Sequence, residues 1–150
     1  MNDLSGAGPH HVGCAVEQLE DAFATYCGAL GLRRRTRPFD VTSQNVRVCF
    51  LELAEGFYLE LVAPLNAQAQ LTSFLDAGFY HLCFLVDDLG AAREHLQARE
   101  FFPLPEFASE AFAGAPCQFF MSPQGHLLEL AQMRPEDFAQ FFRANLAAEA

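Results

Sequence analysis

The chain has 150 residues, of which 51% are hydrophobic and 19% are charged, so it can bury a sizeable core and is not a disordered segment. Its formal net charge is −10 and its only basic run is Arg33-Arg34-Arg35. Nucleic acid is therefore not an expected partner, because contacts to phosphates need clustered cations. No apolar segment approaches the roughly 20 residues that span a bilayer, so no membrane contact is expected either.

Cysteine usage and the N-terminal segment bear on the cellular compartment. The chain has five cysteines, an odd number without a C-x-x-C pair, which is typical of free thiols in a reducing environment. The opening segment MNDLSGAGPHH lacks the charged and apolar regions of a secretory signal. These features predict a cytoplasmic protein.

The first part of the chain, residues 1–66, predicts the order βαβββ. A strand, HVGCAV, begins at His11, and three extended segments follow the helix: a weak one from Arg35 to Val41, then NVRVCFLEL and FYLELVAP. The segment between them has apolar residues at helical spacing, namely Leu19, Ala22, Phe23, Tyr26 and Leu30.

The second part repeats this order after a linker, residues 67–80, that is predicted to be partly helical. Residues 81–132 contain the strand HLCFLV, the helical segment DDLGAAREHLQAR, and the extended segments FFPLPEF, APCQFFMS and HLLELAQ. Residues 133–150 predict a terminal helix, with Pro135 near its start and an aromatic stripe that we interpret as a packing surface. The sequence thus predicts two tandem modules and a C-terminal helix.

The repeat places one histidine and one glutamate at matching positions in each half. Glu60 follows His11 by 49 residues, and Glu129 follows His81 by 48. The histidines begin strands, whereas the glutamates lie inside apolar strands, where a lone carboxylate would carry a heavy desolvation cost. Any one of the four is more often a hydrogen-bonded or solvent-facing residue than a ligand, but their recurrence favours a shared divalent cation. A mixed nitrogen and oxygen set suits Zn, Ni, Co, Mn or Fe(II).

Alternation along the strand predicts that His10 points to the opposite face from His11. His10 has no counterpart in the repeat, since Tyr80 occupies the equivalent position. His10 is therefore not expected to take part in the site.

The chain resembles the vicinal oxygen chelate superfamily, which includes glyoxalase I, methylmalonyl-CoA epimerase, fosfomycin-resistance proteins and extradiol dioxygenases. The stretches that carry the resemblance are HHVGCAVEQLEDAFATYCGALGL, YLELVAPL, GFYHLCFLVDDL and SPQGHLLEL. With their matched spacing they cover nearly all of residues 9 to 132. The resemblance implies an α+β fold in which two tandem βαβββ modules form a cupped mixed sheet around one metal ion. It places the ligands at His11, Glu60, His81 and Glu129, and it implies a possible homodimer.

The same resemblance implies a divalent-metal-dependent isomerase, epimerase or lyase that stabilises the enolate of a small carbonyl or acyl-thioester substrate. Glu129 and Glu60 are the expected catalytic carboxylates. The segment ELVAPL is nearest to that of methylmalonyl-CoA epimerase, but the position of that enzyme's dedicated second base corresponds to Val48. Glu52, on the same strand face, is the alternative, and the second acid or base stays unassigned.

Two other functions remain open at this point. A non-haem Fe(II) dioxygenase usually has two histidines and one carboxylate, so a fourth ligand argues against it. A protein that sequesters a small molecule, as bleomycin-resistance relatives do, dispenses with the metal ligands, and their completeness here argues against that function. An apolar substrate pocket is expected in the cup, lined by Val48, Phe50, Tyr58, Cys83, Cys117 and Phe119.

Overall fold

The computed structural model describes residue 4 and residues 7–148. Within these residues the strands are β1 (Gly8–Ala15), β2 (Phe39–Val41), β3 (Val46–Ala54), β4 (Phe57–Pro64), β5 (Phe79–Val86), β6 (Phe102–Pro103), β7 (Phe107–Ser109), β8 (Ala115–Met121) and β9 (Leu127–Gln132). They form one mixed sheet in the order β2-β3-β4-β1-β5-β9-β8-β6, and β7 also pairs with β8. The predicted fold, a cupped mixed sheet in an α+β protein, is confirmed.

The two halves of the sheet are joined by the antiparallel pair of β1 and β5. On each side of that pair lies a parallel neighbour, β4 beside β1 and β9 beside β5. The histidine strand and the glutamate strand of each half are therefore adjacent, and the two pairs meet in the middle of the sheet.

Three helices lie against the sheet. Helix α1 (Leu19–Phe23) continues into a π-helical turn at Ala24–Ala29, and α2 (Leu89–Gln97) begins after Asp88, whose carboxylate accepts a hydrogen bond from the Ala91 amide. The last helix, α3, spans Pro135–Ala144, whereas the predicted tail helix covers residues 133–150, of which 149–150 lie outside the described residues. None of the described helices has the length and hydrophobicity needed to cross a membrane.

The predicted linker contains one 3₁₀ turn, Gln70–Phe74, and β5 begins at Phe79, two residues before the predicted boundary. The division of the chain into two separate modules, a linker and a tail stays a prediction.

The two faces of the sheet are covered differently. Helix α1 covers the convex face of the first half, where Leu19 and Ala22 pack against Leu51, and α2 covers that of the second half. On the concave face, Phe138 and Phe142 of α3 join a core cluster with residues of both halves. The aromatic stripe of the tail is therefore a packing surface, and it fills part of the cup.

Two β-bulges interrupt the β1–β5 pair, one in each strand. Pro9 pairs with Phe84 and His11 with Cys83, so His10 is the extra residue in β1. Gly13 pairs with His81 and Cys14 with Phe79, which leaves Tyr80 as the extra residue in β5. A bulge breaks the alternation of side chains and turns the extra residue toward the side of its neighbour.

The predicted orientation of His10 is therefore wrong. Its side chain is 2% exposed and its ring contacts His11 and Phe50, on the same side of the sheet as the histidine it precedes.

Candidate metal centre

Four side chains from the two halves converge at the centre of the concave face. The Nε2 atoms of His11 and His81 are 3.0 Å apart. Glu60 Oε1 lies 3.3 Å from each of these nitrogens, and Glu129 Oε1 lies 3.1 Å from His11 and 3.4 Å from His81. All four residues are buried, and one nitrogen or oxygen from each faces a common point.

The strand register explains this convergence. Glu60 on β4 lies opposite Gly13 of β1, and Glu129 on β9 lies opposite Cys83 of β5. Each glutamate is thus beside the residue two positions after the histidine of its own half. Gly13 is needed here, because a Cβ atom at this position would lie 2.0 Å from Cε1 of His81.

The charges of the cluster balance each other. Burial lowers the pKa of His11, but the carboxylates of Glu60 and Glu129 outweigh it and raise that pKa to about 9. The pKa of His81 is raised for the same reason, although burial opposes the shift. The pKa values of Glu60 and Glu129 are lowered by the two histidines, again against the effect of burial. Without an ion, the carboxylates therefore favour the protonated form of the histidines, and the histidines favour the ionised form of the carboxylates.

The donor set fits a divalent ion. Glu129 Oε1 is buried without a hydrogen-bond partner, although it lies close to both histidines. The two Nε2 atoms are 3.0 Å apart, close enough for both to bind the same ion. Two imidazoles and two carboxylates suit a first-row transition metal or zinc rather than calcium or magnesium.

A cavity of about 530 Å³ opens beside the cluster, and both Glu60 and Glu129 line it. Its apolar wall includes Val48 and Phe119, and Tyr80 also lines it. Polar side chains near it come from 3₁₀ turns, loops and the end of β7, and are Ser43, Gln44, Asn45, Gln68, Gln70 and Ser109. A ligand in this cavity would touch the two carboxylates of the cluster directly.

The predicted pocket needs correction at four positions. Val48 and Phe119 line the cavity, whereas Phe50, Tyr58, Cys83 and Cys117 do not. Phe50 and Tyr58 pack against Phe138 of α3, and the two cysteines have 0% exposure. Helix α3 fills the flank of the cup beside Phe50 and Tyr58, and the two cysteines are buried in the same concave core. Strand alternation could not reveal this, because it does not show where a distant helix docks.

Glu52 is not available as a replacement for the base absent at Val48. Its carboxylate accepts a hydrogen bond from Arg34, at 3.0 Å, and it does not line the cavity.

Sequence analysis missed two residues next to the site, His10 and Tyr80. Tyr80 contacts the ring of His81, with centroids 4.5 Å apart. Burial and the nearby carboxylates raise the pKa of Tyr80 well above its usual value, so the phenol stays a neutral donor. The sequence did contain a signal for them: in each half, an aromatic or imidazole residue directly precedes the histidine of the repeat, as His10-His11 and Tyr80-His81.

Comparison with known proteins agrees with this architecture. The family model described as "Glyoxalase/Bleomycin resistance protein/Dioxygenase superfamily" matches residues 10–120. An ethylmalonyl-CoA/methylmalonyl-CoA epimerase of Cereibacter sphaeroides is 31% identical over 131 residues, which cover 83% of this chain and 96% of that protein. The mitochondrial methylmalonyl-CoA epimerase of Mus musculus is 31% identical over 130 residues, covering 82% of this chain and 71% of the relative.

Among solved structures, methylmalonyl-CoA epimerase from Mycobacterium tuberculosis superposes with a TM-score of 0.72 at 28% identity, covering 88% of this chain and 91% of that chain. A hypothetical protein from Bacillus halodurans has a TM-score of 0.75 at 23% identity, covering 85% and 95%. The second likeness concerns the fold alone.

Proposed function

Because the chain belongs to the glyoxalase/bleomycin resistance protein/dioxygenase superfamily, we propose that it is a divalent-metal-dependent enzyme of the epimerase or isomerase type. The proposed reaction removes a proton from the carbon next to a carbonyl group, in a small carbonyl compound or an acyl thioester. The epimerase relatives in bacteria and mammals support this class of substrate.

One observation carries the proposal: the two glutamates of the buried four-donor cluster also line the cavity. An ion on His11, Glu60, His81 and Glu129 would therefore lie at the wall of the space in which a substrate binds. When bound there, a divalent ion supplies positive charge beside the carbonyl oxygen on which negative charge develops.

The residues of the chain provide the remaining parts of the reaction. Glu129 is the proposed proton acceptor, since its carboxylate borders the cavity. Glu60 is the second carboxylate within reach of the same space. The apolar wall that includes Val48 and Phe119 keeps water away and strengthens the electrostatic interactions at the cluster.

Val48 gives the proposal a specific consequence. A two-base epimerisation needs an acid or base on each side of the carbon, and valine can supply neither. We therefore expect proton exchange at the reactive carbon to be faster than inversion of its configuration.

The experiment combines metal analysis with a proton-exchange assay. We expect close to one divalent ion per purified chain, lost in Glu60→Ala and His81→Ala variants because each removes a buried ligand. A matched control is Glu55→Gln, which changes an exposed glutamate in the β3–β4 turn and should keep the ion. Methylmalonyl-CoA, other acyl thioesters and 2-oxo compounds are then incubated in heavy water, and deuterium uptake and inversion are followed by NMR.

The outcomes separate the competing functions. Protein without metal even after growth in supplemented medium would favour a sequestering binding protein. Consumption of oxygen by the iron-loaded protein with a catechol substrate would favour a dioxygenase. Inversion of methylmalonyl-CoA as fast as its deuterium uptake would contradict the role assigned to Val48.

A further inference from the structure

His11 has a second imidazole as its neighbour, on the side away from the four-donor cluster. The Nδ1 atoms of His10 and His11 are 2.8 Å apart, which is hydrogen-bond distance. The β-bulge in β1 brings His10 to this side of the sheet, and the side chain is 2% exposed.

The chemistry of the site assigns the hydrogen between the two nitrogens. Nε2 of His11 faces the cluster, where a bound ion needs its lone pair, so the hydrogen of His11 lies on Nδ1. That N–H donates to Nδ1 of His10, which must then carry its own hydrogen on Nε2. This last atom is buried without a hydrogen-bond partner. A buried unpaired donor carries a free-energy cost, which suggests that His10 is retained for something other than stability.

Aromatic side chains surround the ring of His10. The ring of His10 lies among four aromatic rings, with centroid distances of 4.1 Å to Phe138, 4.9 Å to Tyr58, 5.3 Å to Phe112 and 5.6 Å to Phe50. Water cannot enter this packing to replace the imidazole. The other histidine differs, since Nδ1 of His81 is buried without a partner.

We infer that His10 is a positioning residue, which holds His11 in one tautomer and one ring orientation so that Nε2 is presented to the metal ion. This role depends on the proposed metal function. It gives a part in that function to His10, which the repeat does not duplicate. Hydrogen bonds of this kind to the far nitrogen of a ligand typically change metal affinity 10- to 100-fold.

A second metal ion is the alternative explanation of this geometry. His10, His11 and Cys83 each offer a donor atom within 4.8 Å of the others. An ion on these three would make His11 bind metal through both nitrogens, as an imidazolate, and would also require loss of the Cys83 proton. A hydrogen bond between two neutral rings requires no proton to leave the buried core, and it is therefore the better explanation.

The test uses zinc affinity and the hydrogen bond itself as separate measurements. Zinc dissociation constants are obtained by competition with a chromophoric chelator for wild type and three variants at position 10. His10→Phe keeps a ring but removes the acceptor, and we expect affinity to fall about 10- to 100-fold. His10→Asn places an oxygen where Nδ1 was and should recover most of the affinity. His10→Gln places its polar atoms nearer the Nε2 position and should not.

A packing control separates positioning from stability. Phe112→Leu perturbs a ring that lies against both His10 and His11 but makes no hydrogen bond to them. It should lower the melting temperature without changing zinc affinity. In ¹⁵N-histidine-labelled protein, a scalar coupling between the two Nδ1 atoms should be visible with and without zinc.

Each outcome decides one question. Unchanged zinc affinity in His10→Phe, or absence of the Nδ1–Nδ1 coupling, overturns the inference. Binding of a second zinc ion that is lost in Cys83→Ser supports the alternative and also overturns it. A wild-type protein that shows the coupling but binds no zinc overturns the proposed function instead, and with it the purpose assigned to His10.

Discussion

Gly13 illustrates how one residue without a side chain makes the site possible. It lies two positions after His11 on β1, opposite both His81 on β5 and Glu60 on β4. The imidazole of His81 occupies the space in which any Cβ atom at position 13 would stand. At the equivalent position of the second half the chain has Cys83, so the two halves are not symmetric here.

Gly13→Ala should therefore displace His81 and abolish metal binding. The new methyl group would lie 2.0 Å from Cε1 of the ring, so the ring must leave its place between the two glutamates. Metal content and zinc affinity measure the effect. The matched control is Gly28→Ala, where the nearest atom to the new Cβ is 3.9 Å away, so that variant should bind metal as wild type does. Normal zinc affinity in Gly13→Ala would show that His81 is not a ligand.

Helix α3 determines the shape of the cup at the scale of secondary-structure elements. Its Phe138 is 1% exposed and packs against His10, Phe50 and Tyr58, and Phe142 packs against Tyr58. This closes the flank of the cluster beside His11. The flank beside His81 stays open as the cavity, so the helix decides from which side a substrate can approach.

Phe138→Ala should destabilise the protein by about 3–5 kcal/mol, because it removes a buried aromatic ring and leaves a cavity in the core. Urea denaturation measures the change in the free energy of unfolding. Gln140→Ala, on the exposed side of the same helix, should change it by less than about 0.5 kcal/mol. If both variants were equally stable, α3 would not be packed on the sheet as described.

The whole molecule shares one sheet and one concave core between the two halves of the sequence repeat. The concave cluster contains Phe50 and Val62 from the first half, Cys117 and Ala131 from the second, and Phe138 from α3. Neither half could bury these side chains by itself. The metal-ligand cluster likewise takes one histidine and one glutamate from each half.

We therefore expect the chain to unfold in a single cooperative transition. Calorimetry should give one peak, with equal calorimetric and van't Hoff enthalpies. Leu130→Ala, a substitution of a fully buried residue that packs against α2, should shift the whole peak to lower temperature rather than split it. Two resolved peaks would show instead that the modules are independent folding units.

The sequence by itself determined the repeat, the element order and the four residues of the cluster. Histidine and glutamate recur at nearly equal spacing in both halves. Because the two halves have the same strand order, equal spacing puts these residues at matching places in the sheet. Strand alternation also indicates the face of the sheet on which Val48 and Phe119 lie, and both residues line the cavity. These properties follow from local periodicity, which a chain carries in its own order of residues.

Only the tertiary structure decided which flank of the cup is open and what supports His11. His10 and Tyr80 turn inward because bulges in the β1–β5 pair break the alternation, and a bulge depends on how two distant strands fit together. Phe50 and Tyr58 lie outside the cavity because α3 docks on that side, and Cys83 and Cys117 are fully buried in the concave core. The bulges and the docking of α3 both depend on contacts between segments far apart in sequence. Local periodicity contains no information about such contacts.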